Sequence, residues 1–174
     1  VSVVGLYYFS NLTSAILLSI TIAFYVFVYT IWLKRKTPQN IVIGGASGAL
    51  PPVIGWTIAT NSLTLEPLTF FLIIFFWTPS HFWALSLYKA DDYQKAKIPM
   101  LPITNGIEET KKNIFVYSLI MLPVVILPYY IGFAGETFLI VSLLLTFYYN
   151  YVCYDLLKFK KNKFEIKKAK KVFS

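Results

Sequence analysis

The amino-acid sequence predicts an all-α protein, a bundle of membrane-spanning helices with about five full spans and one partial span. Of its 174 residues, 57% are hydrophobic and only 14% are charged, whereas about 25% of residues are charged in an ordinary soluble domain. The charges are also bunched, which leaves five segments without any: residues 1–33, 37–65, 67–88, 113–135 and 137–154. A spanning helix needs about 20 apolar residues. These features exclude a soluble enzyme, a disordered tail and a nucleic-acid module.

The charge-free segments also give the order of the elements. They lack period-2 alternation, and lipid cannot satisfy backbone polar groups, so we expect helices. Residues 1–9 are interpreted as the end of a helix, followed by a turn at Ser10 and Asn11. Full spans are then expected at residues 12–33, 41–60, 68–88, 114–133 and 138–157. In the second of these, Pro51 and Pro52 each lack a backbone N–H and should kink the helix.

The basic residues predict how the helices are oriented. All sixteen Lys and Arg residues fall in segments 34–36, 89–112 and 158–171, and none lies in the intervening connections 61–67 and 134–136. The three basic segments therefore share one side of the bilayer, which the positive-inside rule assigns to the cytoplasm. Topology accounts for the net charge of +8, so we expect the lipid bilayer and no nucleic acid as a partner.

The longest predicted loop, residues 89–113, contains candidate metal ligands. Asp91 and Asp92 follow a span directly, and Mg²⁺ is often held by one or two carboxylates together with substrate phosphates. A solvated acidic pair, balanced by Lys89 and Lys95, is the alternative that the residues leave open. Residues 99–102 form an apolar piece with two prolines, which we expect to be partly buried.

His81 is the only histidine, and it lies inside a span, seven residues before Tyr88. Ionisable groups at such depth usually mark function. If the helix continues, His81, Tyr88 and Asp92 form one stripe that descends to the basic end. A neutral histidine bonded to a neighbouring carbonyl is the alternative. Three aromatic residues surround the stripe and either line an apolar pocket or serve packing: Trp77, Phe82 and Trp83.

Lys34 and Arg35 lie in the first basic segment. Arg can bind a diphosphate in a bidentate manner, and Lys can bind it as a point charge. Two adjacent basic residues after a span also serve as topology anchors, and the pattern fits both interpretations equally well.

Two long strings resemble a known family. YTIWLKRKTPQNIVIGGASGALPPVIGW (residues 29–56) and FWTPSHFWALSLYKADDYQKAKIPMLPITNG (residues 76–106) are similar to the signatures of the protohaem IX farnesyltransferases, or haem O synthases, a branch of the UbiA-type intramembrane prenyltransferases. The resemblance implies a nine-helix bundle in the bacterial cytoplasmic (inner) membrane with its active site facing the cytoplasm. The chain would be part of that single membrane domain, without the first Asp-rich motif and the ninth helix. We therefore expect the 174 residues alone not to make haem O.

The activity that the resemblance implies is transfer of a farnesyl group from farnesyl diphosphate to a vinyl group of haem B, with Mg²⁺ as cofactor. The product, haem O, would serve haem-copper terminal oxidases, and haem A synthase or an oxidase assembly would be a partner. The residues matched to this chemistry are Asp92 and His81 as catalytic residues, Lys34 and Arg35 for the diphosphate, Asp92 and Asp91 for the metal, and Asn40, Trp77, Trp83 and Tyr88 for the haem or farnesyl pocket. His81 would orient or ligate haem, or shuttle a proton.

Two other functions fit part of the pattern. Many UbiA-type enzymes carry two Asp residues four apart in the second Asp-rich motif, and here Tyr88 stands at the first position and Asp92 at the second. The resemblance therefore favours the haem branch over prenylation of an aromatic quinone precursor. A transporter fragment is the alternative from a different class, but only His81 is ionisable deep inside a span, which is too few for a path across the membrane.

Overall fold

The computed structural model describes residues 1–159 and 163–174, and every regular element in these two ranges is helical. The elements in chain order are α1 (Ser2–Phe9), α2 (Leu12–Ala23) and its π-helical continuation (Phe24–Leu33), α3 (Asn40–Ala49), α4 (Pro51–Thr60), α5 (Glu66–Tyr88), α6 (Ala90–Lys95), α7 (Leu101–Thr104), α8 (Ile107–Val124), α9 (Leu127–Tyr130), α10 (Glu136–Lys158) and α11 (Lys163–Phe173).

Among the described residues, five stretches are long and apolar enough to cross a membrane: Leu12–Leu33, Asn40–Thr60, Glu66–Tyr88, Ile107–Tyr130 and Glu136–Lys158. The five predicted spans are thereby confirmed, as is the all-helical fold class, and the chain is an integral membrane protein. The helix is interrupted at the position where a kink was expected from Pro51 and Pro52, because α3 ends at Ala49 and α4 begins at Pro51.

The fourth span begins earlier than the sequence predicted. Residues 107–113 were assigned to a loop because they carry four charges, yet α8 starts at Ile107. Glu108 and Glu109 lie in its first turn, where carboxylates interact favourably with the helix dipole. Lys111 is fully buried and bonds to Glu108 and to the carbonyl of Phe159. The charges thus stabilise a helix start that hydropathy alone does not reveal.

The core lies toward the basic end of the bundle, which is the end where Lys34 and Lys89 follow their spans. Its buried members come from α5, α7, α8, α10 and α11: Trp83, Ala84, Leu101, Ile114, Val152, Cys153, Leu156, Ala169 and Val172. Polar contacts join the same helices, with Ser80 and Tyr149 hydroxyls 2.8 Å apart and Asn150 donating to the Ser118 carbonyl at 2.9 Å. Such bonds hold helices together where lipid gives no hydrophobic drive.

Two segments that the sequence assigned to basic loops contain short helices. In the loop after α5, Met100 and Leu101 are 1% and 3% exposed, which confirms the partial burial expected of residues 99–102. In the third basic segment, α11 packs on α5 and α10 through the buried Ala169 and Val172. Treating residues 158–171 as a loop was therefore wrong for α11, and residues 160–162 of that segment lie outside the described residues.

Candidate functional site

A cavity of about 600 Å³ opens between the first, second and third spans. This volume is within the range of small-molecule sites in proteins. Its walls come from α2 and the π-helical segment, from α3 and from α5: Thr21, Ile22, Tyr25, Tyr29, Ile41, Gly44, Gly45, Ser47, Gly48, Ile74, Trp77, Thr78 and Phe82. The lining is mostly apolar and aromatic. The cavity occupies the half of these spans that leads to the basic end.

The π-helical segment aligns a row of side chains along one wall. In such a helix the backbone bonds from residue i to i+5, and the Lys34 amide accordingly donates to the Tyr29 carbonyl at 2.8 Å. Residues four to five apart therefore return to the same face. The Tyr25 and Tyr29 rings lie 5.3 Å apart, and the Lys34 ammonium lies 5.8 Å from the Tyr29 ring centre. The π-helical segment thus presents Tyr25 and Tyr29 to the cavity, with the Lys34 ammonium near the Tyr29 ring.

Gly44 on α3 lies against the Tyr29 ring. A Cβ added at Gly44 would lie 2.4 Å from a ring carbon of Tyr29, closer than van der Waals contact allows. Tyr29 can occupy its place only because residue 44 has no side chain. The missing side chain at Gly44 therefore makes room for a cavity side chain from the neighbouring helix.

The first basic segment follows the π-helical segment that lines the cavity. Lys34 is half-buried and Arg35 is exposed. Asn40 is 1% exposed and donates its amide N–H to the carbonyls of Thr37 (2.7 Å) and Lys34 (3.5 Å). Asn40 therefore fixes the turn that carries the two basic side chains, while its buried Oδ1 has no hydrogen-bond partner among the described residues.

The other predicted ligands lie on α6, directly after α5. Asp91 and Asp92 occupy its first turn, and both are exposed. Asp92 pairs with Lys89 at 3.2 Å, in an exposed pair that contributes little to stability. Burial raises the pKa of Tyr93, and the neighbouring Tyr88 and Asp92 raise it further. Tyr93 is therefore a neutral phenol next to Asp92.

The acidic pair fits a divalent cation only in part. Its carboxylate oxygens are the donors that Mg²⁺ prefers, and they are accessible and not committed to a buried pair. Within residues 1–159 and 163–174, however, no three His, Cys, Asp or Glu side chains converge on one point. Asp91 and Asp92 could thus supply one side of a metal site whose remaining ligands are substrate phosphates or groups outside these residues.

His81 lies between two aromatic rings. Its imidazole stacks on the Trp77 indole (ring centres 4.1 Å apart) and on the Phe173 ring (4.3 Å), and its buried Nδ1 has no hydrogen-bond partner among the described residues. Tyr88 also meets Phe173, at 6.1 Å, so His81 and Tyr88 share a face as predicted. The stripe does not continue on one helix to Asp92, because α5 ends at Tyr88 and α6 begins at Ala90.

The two tryptophans predicted near His81 have different surroundings. Trp77 lines the cavity and carries the His81 stack on its indole. Trp83 is fully buried in the core, edge-on to Tyr117 at 5.2 Å, and is not among the cavity-lining residues. Four aromatic residues of this region were not predicted from the sequence: Tyr25, Tyr29, Tyr93 and Phe173. A tyrosine four residues from another beside a basic segment was the available signal for the first two.

Comparisons with known proteins agree on one family. The profile of the UbiA prenyltransferase family matches residues 1–173. No solved structure matches the chain.

Three relatives illustrate how similar the chain is to named proteins. Each carries the name protoheme IX farnesyltransferase. The chain is 76% identical to the protein from Pelagibacter ubique over 172 residues, which are 99% of the chain and 57% of that protein. It is 57% identical to the one from Parvibaculum lavamentivorans (74% of the chain, 41% of the relative) and 63% identical to one from Ehrlichia ruminantium (68% and 40%). The chain therefore spans about half the length of these relatives.

Proposed function

The chain belongs to the UbiA prenyltransferase family, and from this premise we propose that it forms part of an enzyme that transfers a farnesyl group from farnesyl diphosphate to a vinyl group of haem B. The product would be haem O, for haem-copper terminal oxidases. The observation that carries the proposal is the aromatic-lined cavity in the half of three spans that leads to the basic end. At that end, Lys34 and Arg35 follow the first span, and Asp91 and Asp92 follow the third. The names of the relatives support the same chemistry.

The basic end suits the departure of a diphosphate. The bond between the allylic carbon and the diphosphate oxygen breaks, and the negative charge on the leaving group must be stabilised. Lys34 and Arg35 would bind phosphate oxygens, and Tyr93, a neutral phenol, would donate its O–H. Asp92, with Asp91, would hold Mg²⁺, which would supply additional neutralisation of the diphosphate charge.

The cavity suits the other half of the reaction. The allylic carbocation left by the diphosphate needs a dry site where ring faces stabilise positive charge. The rings of Tyr25, Tyr29 and Trp77 line the cavity. The cation then bonds to the terminal vinyl carbon of haem, water adds to the adjacent carbon with release of a proton, and a hydroxyethylfarnesyl group results. His81, stacked on Trp77, would orient haem or accept this proton. Tyr88 would face the substrate, and Asn40 would position the turn that carries Lys34 and Arg35.

The decisive experiment measures haem composition. The chain is placed in a full-length context, in the matching segment of the relative from Pelagibacter ubique, and expressed in a bacterial strain that lacks its own haem O synthase. We expect haem O in the extracted haems. Extracts that contain haem B alone would overturn the proposal, and a prenylated quinone precursor in the same extracts would identify the acceptor as an aromatic ring.

We also propose that the basic end faces the bacterial cytoplasm, since all Lys and Arg residues fall in segments at that end. Single cysteines can be introduced in this full-length context at Gln39, Asn105 and Ser62, with the buried Cys153 replaced by serine. A membrane-impermeant maleimide should label Ser62→Cys in intact cells, and the other two only in inverted vesicles. Labelling of Asn105→Cys from outside the cell would overturn this orientation.

A further inference from the structure

Gly48 lines the deep end of the cavity, which is the end farther from the basic end of the bundle. It lies on α3, eight residues after Asn40, so it is about 12 Å deeper along a helix that rises 1.5 Å per residue. Ile22 on α2 and Ile74 on α5 belong to the same end, since both lie farther from the basic end of their helices than the tyrosines and Trp77. The deep end is therefore lined by aliphatic side chains, by Thr21 and by an exposed residue without a side chain.

The three glycines that line the cavity differ in what a side chain would meet. At Gly44 a Cβ would collide with the Tyr29 ring at 2.4 Å, and at Gly45 it would press on the Thr78 methyl group at 3.1 Å. At Gly48 no atom lies within 4 Å. The first two glycines therefore permit packing, whereas Gly48 is exposed and borders open space at the end of the cavity.

We propose that Gly48 determines the length of the prenyl chain that the protein accepts. This inference rests on the proposed function. A diphosphate bound at Lys34 and Arg35 leaves the isoprenoid tail to extend inward along the apolar walls, and the far end of the tail then reaches the level of Gly48. A larger side chain at this position fills the space of the last isoprene unit and leaves the basic end unchanged, so it selects geranyl over farnesyl diphosphate.

The test compares the two substrates in one protein. Gly48→Leu and Gly48→Ala are made in the full-length context described above, and kcat/KM is measured for geranyl and farnesyl diphosphate with haem B as acceptor. Small changes in the volume of an apolar pocket alter discrimination by about 10- to 200-fold. We expect Gly48→Leu to shift the ratio of the two kcat/KM values at least tenfold toward geranyl diphosphate, and Gly48→Ala to shift it less in the same direction. The ratio cancels differences in protein amount.

Gly55→Leu is the matched control. Gly55 lies on α4, does not line the cavity, and also has no atom within 4 Å of an added Cβ, so this variant should keep the wild-type ratio. An unchanged ratio in both Gly48 variants, or an equal shift in Gly55→Leu, would overturn the inference. If Gly48→Leu does not insert, Gly48→Ala decides, because its single methyl group meets nothing. A wild-type protein that prenylates no haem would refute the proposed function itself.

Discussion

Charged side chains at the basic end fall into two groups with different surroundings. Lys111 is fully buried and bonds to Glu108 and to the Phe159 carbonyl, and Lys168 pairs with Asp155 between α11 and α10. Asp92 and Arg35, by contrast, are exposed at the same end, and the Lys89 partner of Asp92 is itself 53% exposed. The first group joins helices, whereas the second remains accessible to a ligand. Burial with a fixed partner thus separates structural charges from candidate binding charges.

The largest expected effect tests the accessible group. Asp92→Asn, in the full-length context, should lower haem O formation by about 10²-fold or more, because it removes a charge that would support departure of the diphosphate. Its exposed pair with Lys89 contributes little to folding, so the amount of protein in the membrane should stay the same. Asp91→Asn should have a smaller effect. Wild-type haem O production in both variants would place Asp92 outside the reaction.

The next effect tests the structural group. Lys111→Met should lower the free energy of unfolding by about 1–3 kcal/mol, because the Phe159 carbonyl loses its donor, and thermal unfolding in detergent measures the change. Activity per folded molecule should persist. Lys112→Met is the matched control. Lys112 is 65% exposed, and its ion pair with the exposed Glu109 is long, at 3.7 Å. Equal melting temperatures for the two variants would show that the buried contacts of Lys111 do not stabilise the bundle.

The smallest expected effect concerns the first basic segment. Replacing Lys34 and Arg35 together by Gln should raise KM for farnesyl diphosphate by about tenfold. An exposed ion pair contributes about 0.2–1 kcal/mol, so the loss of two amounts to about 1.4 kcal/mol, which is a factor of ten. Membrane insertion, followed by carbonate extraction, should be unaffected. An unchanged KM would leave the two residues as topology anchors alone.

The comparison also shows what could be predicted from the sequence. The five spans were predictable because the charge-free segments mark them, and the kink was predictable from Pro51 and Pro52. The start of α8 was missed because its charges were assigned to solvent. The pattern of Glu108 and Glu109 before Lys111 and Lys112 is typical of a helix start and could have corrected this.

Side-chain directions were harder to predict than spans. Trp77 and Trp83 lie six residues apart on α5, yet one lines the cavity and the other is buried in the core. Lipid and protein core are both apolar, so hydrophobicity does not show which face of a membrane helix contacts lipid and which contacts the core. The π-helical segment likewise carries no clear sequence signal, and it decides which face of the first span bears Lys34.

The contact between Tyr29 and Gly44 also constrains how this protein can evolve. Any residue larger than glycine at position 44 would require a smaller side chain at position 29, since the added atom would lie 2.4 Å from the ring. A larger residue at position 44 alone would clash with Tyr29, and a smaller residue at position 29 alone would remove part of the cavity wall. Positions 29 and 44 should therefore covary among relatives, as a coupled pair that joins two helices across the cavity.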